Sequence, residues 1–221
     1  MVILMKNEVI KAIEKNKIIV ILRGVPEDKL ICVADALYKG GIRMLEITYS
    51  ADKKVSDIDT AKQIQMLASH FNGKMFIGAG TVLNAKQVLL TKKAGGSFII
   101  SPDVNKSVIK ATNKCGMVSI PGALTPSEIT AAHNFGADYI KLFPVTSLGY
   151  EYVKAVKAPL SHIRFLAVGG IDENNMSDYL NAGVCGFGVG SNIAKKQFIA
   201  DNDFSAITST AQKYTEAILK G

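Results

Sequence analysis

Short apolar runs recur along the chain, separated by longer segments whose apolar residues follow a helical spacing. Eight such runs begin near residues 18, 43, 75, 97, 117, 138, 163 and 184. Their spacing of roughly 20–32 residues is the length of one strand, one crossover helix and two loops. The pattern therefore predicts eight repeats of a β-strand followed by an α-helix.

The segments between these runs carry the usual signals of helix ends. The amphipathic segments at 26–41, 85–96 and 126–137 end at or just after a glycine, a residue that often terminates helices. Thr125 followed by Pro126 has the pattern of an N-cap with proline in the first helical turn. A further helix is predicted over residues 5–16, before the first strand.

The alternation of strands and helices predicts an α/β fold with a parallel sheet. Eight units are what a (β/α)8 TIM barrel requires, here with an extra N-terminal helix. A doubly wound sheet is the rival architecture, but the count of eight and the lack of an early glycine-rich fingerprint disfavour it. Since no stretch resembles a linker, residues 1–221 are predicted to form a single domain.

Composition limits the class of protein. Apolar residues make up 48% of the chain and charged residues 20%, which is typical of a folded globular protein. No segment approaches the roughly 20 apolar residues that span a bilayer, and the apolar opening is too short for a signal peptide. The 3 cysteines are far apart and form no C-x-x-C motif. We therefore expect a reduced, cytoplasmic protein without membrane segments, a disulfide framework or a metal site.

The net charge of +7 raises the question of nucleic-acid binding. Arg23, Arg43 and Arg164 are the only arginines, whereas base and phosphate recognition relies strongly on arginine. The lysines are scattered apart from three short pairs. The charge therefore predicts no nucleic-acid partner, but a modest preference for anionic small molecules.

Three charged residues are predicted to point into the barrel near the carboxyl ends of its strands, where barrel enzymes have their active sites. Side chains alternate between the two faces of a strand. Arg23, Glu46 and Lys141 each lie on one face of their own strand, and the opposite face of that strand is purely apolar. Their convergence predicts a site. A buried ion pair that only fills the barrel is the alternative interpretation.

A buried lysine in this position allows a particular chemistry. Desolvation disfavours the ammonium form, so the pKa of Lys141 is expected to fall and its amine to become nucleophilic. An amine that attacks a carbonyl forms a Schiff base, which withdraws electrons from the adjacent carbon–carbon bond. Glu46 is then suited to move protons, and Arg23 to hold a carboxylate or a phosphate.

Three strands end in glycine-rich stretches. The third run ends in "GAGT", where two glycines are expected to let the backbone approach a ligand and Thr81 offers a hydroxyl. The last two runs end in "AVGGI" and "GFGVGS". Barrels often bind phosphate through the loops that follow strands seven and eight. The predicted phosphate donors are Gly169, Gly170, Gly190 and Ser191.

Seven stretches, in order along the chain, resemble the class I 2-keto-3-deoxy-6-phosphogluconate (KDPG) and 4-hydroxy-2-oxoglutarate (KHG) aldolases. The matching stretches are "ILRG", "GGIRMLEITYS", "FIGAGTVLN", "FIISPDVN", "SIPGALTPSE", "ADYIKLFP" and "GVGSNI". The resemblance implies a (β/α)8 barrel that forms a homotrimer and cleaves KDPG reversibly into pyruvate and glyceraldehyde 3-phosphate. Relatives also cleave KHG into pyruvate and glyoxylate. It implies neither a metal nor another cofactor, because the protonated imine is itself the electron sink.

The resemblance also implies roles for individual residues. Lys141 matches the Schiff-base lysine, and Glu46 matches the general acid and base. Thr81 matches a contact to the pyruvate carboxylate, and Phe143 matches a wall residue near the imine. The phosphate loops of the family match the residues Gly169, Gly170, Gly190 and Ser191.

Two positions depart from the pattern of many family members. Ser50 stands where many members have a carboxylate-binding arginine, and Val168 stands where many have a threonine. Both departures concern the choice of substrate, and the epimeric 2-keto-3-deoxy-6-phosphogalactonate (KDPGal) is the rival substrate. Two rival functional classes are a sugar-phosphate isomerase or synthase without imine chemistry and a non-enzymatic phosphate-binding barrel.

Overall fold

The structure is a computed structural model that describes residues 2–220, with side chains described for residues 5–219. All strand pairs in it are parallel. The strands are β1 Ile18–Leu22, β2 Met44–Thr48, β3 Phe76–Gly80, β4 Phe98–Ile100, β5 Val118–Ile120, β6 Gly122–Ala123, β7 Ile140–Leu142, β8 Phe165–Val168 and β9 Gly186–Val189. Each of the eight predicted runs contains one of them.

Helices alternate with the strands. They are α1 Val2–Asn16, α2 Glu27–Lys39, α3 Asp57–Phe71, α4 Ala85–Lys93, α5 Lys106–Lys114, α6 Pro126–Asn134, α7 Gly149–Lys157, α8 Met176–Asn181, α9 Lys196–Ala200 and α10 Phe204–Lys220. The predicted N-cap at Thr125 is confirmed, since its hydroxyl accepts from the Glu128 amide and the Glu128 carboxylate accepts from the Thr125 amide. None of the described helices is long and apolar enough to cross a membrane.

The nine strands occupy eight barrel positions, because β5 and β6 are two parts of one strand separated by Pro121. The sheet order is β5-β4-β3-β2-β1-β9-β8-β7-β6, so its two ends are neighbours along the chain. Proline has no amide hydrogen to give to a sheet, which explains the break. The Pro121 carbonyl still accepts from the amide of Lys141. The predicted (β/α)8 barrel is confirmed.

Alternation along the strands separates two cores. Ile18, Val20 and Leu22 of β1 belong to the large core between the barrel and its helices. Ile19 of the same strand belongs to a smaller core inside the barrel. The inner core also contains residues from the inward face of other strands around the barrel, namely Met44, Phe98, Ile100, Val118, Ile120, Tyr139 and Leu166. The predicted division of the strand faces is therefore correct, and it directs Glu46 and Lys141 inward.

The extra N-terminal helix, α1, closes the amino end of the barrel. Its residues Val9, Ala12 and Ile13 are buried in the inner core. Lys6 forms a salt bridge with Asp138, just before β7, with Nζ 2.8 Å from Oδ2. The barrel is therefore filled from this end, which leaves its carboxyl end for a site.

Candidate active site

A cavity of about 1070 Å³ opens at the carboxyl end of the barrel. Its walls come from the ends of β1, β2, β7, β8 and β9 and from the loops that follow them. Eight of the nine predicted site residues line it: Arg23, Glu46, Lys141, Phe143, Gly169, Gly170, Gly190 and Ser191. The ninth, Thr81, does not line the cavity but contacts a residue that does.

Lys141 lies at the centre of β7, between Gly122 of β6 and Leu166 of β8. Its side chain is buried, and Nζ lies 4.6 Å from the centroid of the Phe143 ring, two residues further along the same strand face. Burial lowers the pKa of the Lys141 ammonium, while the Glu46 carboxylate opposes this shift and the Arg23 guanidinium adds to it. The amine is therefore more readily neutral than that of a surface lysine.

Glu46 lies at the centre of β2 and is 1% exposed. Burial raises the pKa of its carboxyl, and the charges of Lys141 and Arg23 oppose part of this rise. Its Oε2 has no hydrogen-bond partner among the described residues. None of the salt bridges between described residues joins Glu46 to Lys141. A buried carboxyl whose oxygen is not bonded to protein is suited to exchange protons with a bound molecule.

Glycine at position 80 makes room for this carboxyl. A Cβ built on Gly80 would lie 1.5 Å from Oε1 of Glu46, far inside contact distance. Two residues earlier, a Cβ on Gly78 would lie 2.3 Å from the ring of Phe98. The glycines of the "GAGT" stretch thus accommodate neighbouring side chains, in place of the ligand that the sequence pattern suggested.

Arg23 follows β1 and reaches sideways along the rim of the barrel. Its Nη2 donates to the Oγ1 of Thr81, which follows β3, at 3.0 Å. Because β2 lies between β1 and β3, this bond crosses the end of the strand that carries Glu46. The structure therefore brings Arg23 to the cavity as predicted and joins it to Thr81 by a hydrogen bond.

The predicted phosphate loops offer backbone donors. Within the described part of the chain, the amides of Gly169, Gly170, Gly190 and Ser191 donate no hydrogen bond to protein acceptors. Gly170 has a left-handed φ of 69°, and a Cβ there would lie 2.1 Å from the Oγ1 of Thr146, so only glycine fits. Free amides grouped at one edge of a cavity are suited to bind an anion.

Several residues of the cavity were not predicted from the sequence. Lys29 of α2 lines it and joins α2 to the end of α9, because its Nζ donates to the carbonyls of Ile199 and Ala200. Ile21 and Gly188 also line it. Strand alternation was the available signal for these two, since they share faces with Arg23 and Gly190.

The arrangement combines an amine, a carboxyl, a guanidinium and a group of amide donors around one cavity. A neutral amine attacks a ketone, a carboxyl moves protons, and a guanidinium binds a carboxylate. The amides lie on the side of β8 and β9, whereas Arg23 lies at the end of β1. This chemistry suits a keto acid with a second anionic group.

Comparisons with known proteins agree with this chemistry. A family model described as KDPG and KHG aldolase matches residues 9–210. A probable 2-dehydro-3-deoxy-6-phosphogalactonate aldolase of Rhizobium meliloti is 36% identical over 82% of this chain and 83% of its own. A 2-dehydro-3-deoxy-phosphogluconate aldolase of Pseudoalteromonas atlantica is 35% identical over 82% of this chain and 81% of its own.

A solved structure extends the comparison to the fold and the intermediate. The KDPG aldolase of Legionella pneumophila, with pyruvate captured as a covalent carbinolamine, is 28% identical, with a TM-score of 0.80. The similarity covers 89% of this chain and 93% of that one. With the family model and the two curated relatives, it supports the expected family and reaction class. The chain belongs to the KDPG and KHG aldolase family and is a class I aldolase, a carbon–carbon lyase.

Proposed function

We propose that this protein cleaves a 2-keto-3-deoxy-6-phospho sugar acid reversibly into pyruvate and glyceraldehyde 3-phosphate, with KDPG as the leading substrate. The observation that carries the proposal is the buried Lys141, whose pKa is lowered by burial and which lies in one cavity with Glu46 and Arg23. KHG, which gives pyruvate and glyoxylate, is proposed as a second substrate that leaves the phosphate loops unused.

The first half of the proposed mechanism builds the imine. The neutral amine of Lys141 attacks the C2 carbonyl, and the proton that the attacking nitrogen loses passes to the carbonyl oxygen to give a neutral carbinolamine. Loss of water then gives a protonated imine. Glu46 supplies the proton that the departing hydroxyl needs, because burial raises the pKa of its carboxyl and so favours the protonated form.

The second half breaks the carbon–carbon bond. The C4 hydroxyl loses its proton to Glu46, the C3–C4 bond breaks, and its electrons move to the imine nitrogen to give an enamine and the aldehyde. Protonation at C3 followed by hydrolysis releases pyruvate and restores Lys141. Arg23 binds the C1 carboxylate, the amides of Gly169, Gly170, Gly190 and Ser191 bind the phosphate, and Phe143 forms part of the wall.

Borohydride reduction in the presence of pyruvate tests the imine directly. We expect a reduced pyruvyl adduct on Lys141, located by peptide mass mapping, and no adduct in the Lys141→Met variant. Lys110→Met, at an exposed position of α5, is the matched control and should form the adduct like the unsubstituted protein. A protein that binds pyruvate but forms no adduct would contradict the proposal.

KDPGal is the second candidate substrate, favoured by Val168. This side chain lines the cavity at the end of β8 and offers no hydroxyl to a bound substrate, where many members have threonine. A lost hydrogen bond of this kind is worth about 1 kcal/mol, or roughly fivefold in rate. Turnover of the two epimers, compared by kcat/KM, decides between them. A Val168→Thr variant that shifts the ratio towards KDPG would support a role for this position.

A further inference from the structure

One side chain joins the two predicted phosphate loops. The loop after β8 covers residues 169–175, and the loop after β9 covers residues 190–195. Nδ2 of Asn192, in the β9 loop, donates to the carbonyl oxygen of Ile171, in the β8 loop, at 3.0 Å. Among the described residues it is the only hydrogen bond between the two loops. Asn192 therefore fixes one loop against the other.

Within each loop, carbonyl oxygens are already held. The Gly190 carbonyl accepts from the two amides of residues 193–194, at 3.1 and 3.3 Å. The C=O and N–H of a trans peptide unit point in opposite directions, so the Ser191 amide faces away from this turn. In the β8 loop, the Gly170 carbonyl accepts from Nδ2 of Asn175 at 2.8 Å. These bonds orient the peptide units inside each loop, but they leave the distance between the loops open.

Asn192 also lies against a buried tyrosine. Tyr214 of α10 is 1% exposed. Burial raises the pKa of its phenol, the Glu173 carboxylate adds to this rise, and the Asn192 side chain opposes it. A neutral amide acts on a pKa only at close range, so the Asn192 side chain lies beside the phenol. Asn192 of one loop and Glu173 of the other thus both lie near the same residue of α10.

We propose that Asn192 is a positioning residue, whose side chain holds the two loops at the spacing that lets amides of both bind one phosphate group. The family resemblance implies the loops as the phosphate site, and the inference adds the link that spaces them. It rests on the proposed function. Its physical basis is preorganisation, because loops that are already correctly spaced lose less conformational freedom when the phosphate binds.

Condensation of pyruvate with two aldehydes tests the inference in the full-length protein. Glyceraldehyde 3-phosphate carries the phosphate and glyceraldehyde lacks it, so the ratio of their kcat/KM values measures what the phosphate contributes. Asn192→Leu removes the donor at similar size, and we expect this ratio to fall about fivefold, as for the loss of one hydrogen bond. The fall should come from a higher KM for glyceraldehyde 3-phosphate at unchanged kcat, as for lost binding that substrate and transition state share.

Two further variants supply the controls. Asn174→Leu makes the same exchange at an exposed position of the β8 loop, where only the backbone amide donates a hydrogen bond among the described residues, and it should leave the ratio unchanged. Asn175→Ala releases the Gly170 carbonyl and so loosens the β8 loop from within. Because Asn175 and Asn192 both act on the position of this loop, the effects of Asn175→Ala and Asn192→Leu on the ratio should not be additive.

Three outcomes contradict the inference. An unchanged ratio in Asn192→Leu shows that the link does not matter for phosphate binding. An equal loss for both aldehydes assigns Asn192 to the fold or to the reacting end of the cavity. Additive losses in the Asn175→Ala background show that Asn192 contacts the phosphate on its own. Absence of condensation with either aldehyde in the unsubstituted protein instead contradicts the proposed function, and the inference falls with it.

Discussion

At the scale of the residue, burial creates the reactive groups of this protein. Lys141 and Glu46 lie in the walls of one cavity, and desolvation moves the two pKa values towards each other, downward for the amine and upward for the carboxyl. Such a pair barely stabilises a fold compared with apolar residues of similar size. The burial of these two residues, Glu46 on β2 and Lys141 on β7, is therefore best explained by chemistry.

Burial and the Glu46 carboxylate act on the pKa of Lys141 in opposite directions, so this pKa should change in the Glu46→Gln variant. The Glu46 carboxylate acts to raise the pKa of Lys141, so its removal should lower that pKa further, and the neutral amine should persist to lower pH. Trace labelling with acetic anhydride across a pH series, followed by peptide mass analysis, measures the titration midpoint of Lys141, which is the pH at which half of the amine is neutral. Asp52→Asn, at the exposed mouth of the cavity, is the control and should leave it unchanged.

The same Glu46→Gln variant should lose aldol cleavage by about 10²–10⁴-fold, the usual loss when general acid–base help is removed. A midpoint for Lys141 that stays in place or rises would contradict the electrostatic coupling. A loss of cleavage below tenfold would instead assign the proton transfers to water or to another group.

At the scale of the element, the alternation of strand residues decides which side chains meet inside the barrel. Glu46 pairs with Gly78 in the register of β2 and β3, and Gly80 follows on the same inner face. The absence of a side chain at Gly80 leaves the space that the Glu46 carboxyl occupies. The catalytic candidate on one strand thus depends on a glycine of the next.

This dependence predicts that Gly80→Ala disturbs the site through Glu46. The added methyl would overlap Oε1, Cδ and Cγ of Glu46, so we expect a loss of cleavage activity similar to that of Glu46→Ala. We also expect a destabilisation of about 1–3 kcal/mol, as for overpacked sites. Kinetic assays and chemical denaturation measure the two effects.

The double variant Gly80→Ala/Glu46→Ala provides the check. Alanine at position 46 lacks all three overlapping atoms, so the double variant should recover the stability lost by Gly80→Ala while remaining inactive. Strictly additive free energies of unfolding would show that the alanine at position 80 strains something other than Glu46.

Much of the element pattern was predictable from the sequence, because the periods of strands and helices are local properties. The eight strands, the parallel order and the inner position of Lys141 and Glu46 follow from apolar runs and alternation. The break at Pro121, the contact of Gly80 with Glu46 and the bond between Arg23 and Thr81 were missed. These depend on strand register and on side-chain directions, which no single stretch of the sequence encodes.

At the scale of the whole molecule, the two ends of the barrel have different tasks. The carboxyl end holds the cavity, and the amino end is closed by α1, which packs into the inner core. Salt bridges from Lys6 to Asp138 and from Glu14 to Arg164 join this helix to the starts of β7 and β8, at 2.8 and 3.3 Å. The homotrimer, the single domain and the cytoplasmic location stay predictions at this scale.

The closure by α1 predicts that its buried face contributes to stability and not to the chemistry. Ile13 is 1% exposed and packs inside the barrel, so Ile13→Ala should lower the free energy of unfolding by about 2–5 kcal/mol through lost burial and a residual cavity. Lys11→Ala, at an exposed position of the same helix, should change it by less than about 0.5 kcal/mol. Chemical denaturation measures the free energy of unfolding of both variants. Borohydride trapping on Lys141, at temperatures where both variants remain folded, should be half-saturated at the same pyruvate concentration as in the unsubstituted protein. A weakened pyruvate affinity in folded Ile13→Ala would show that the amino end of the barrel acts on the site through its inner core, to which Phe98, Tyr139 and Leu166 also belong.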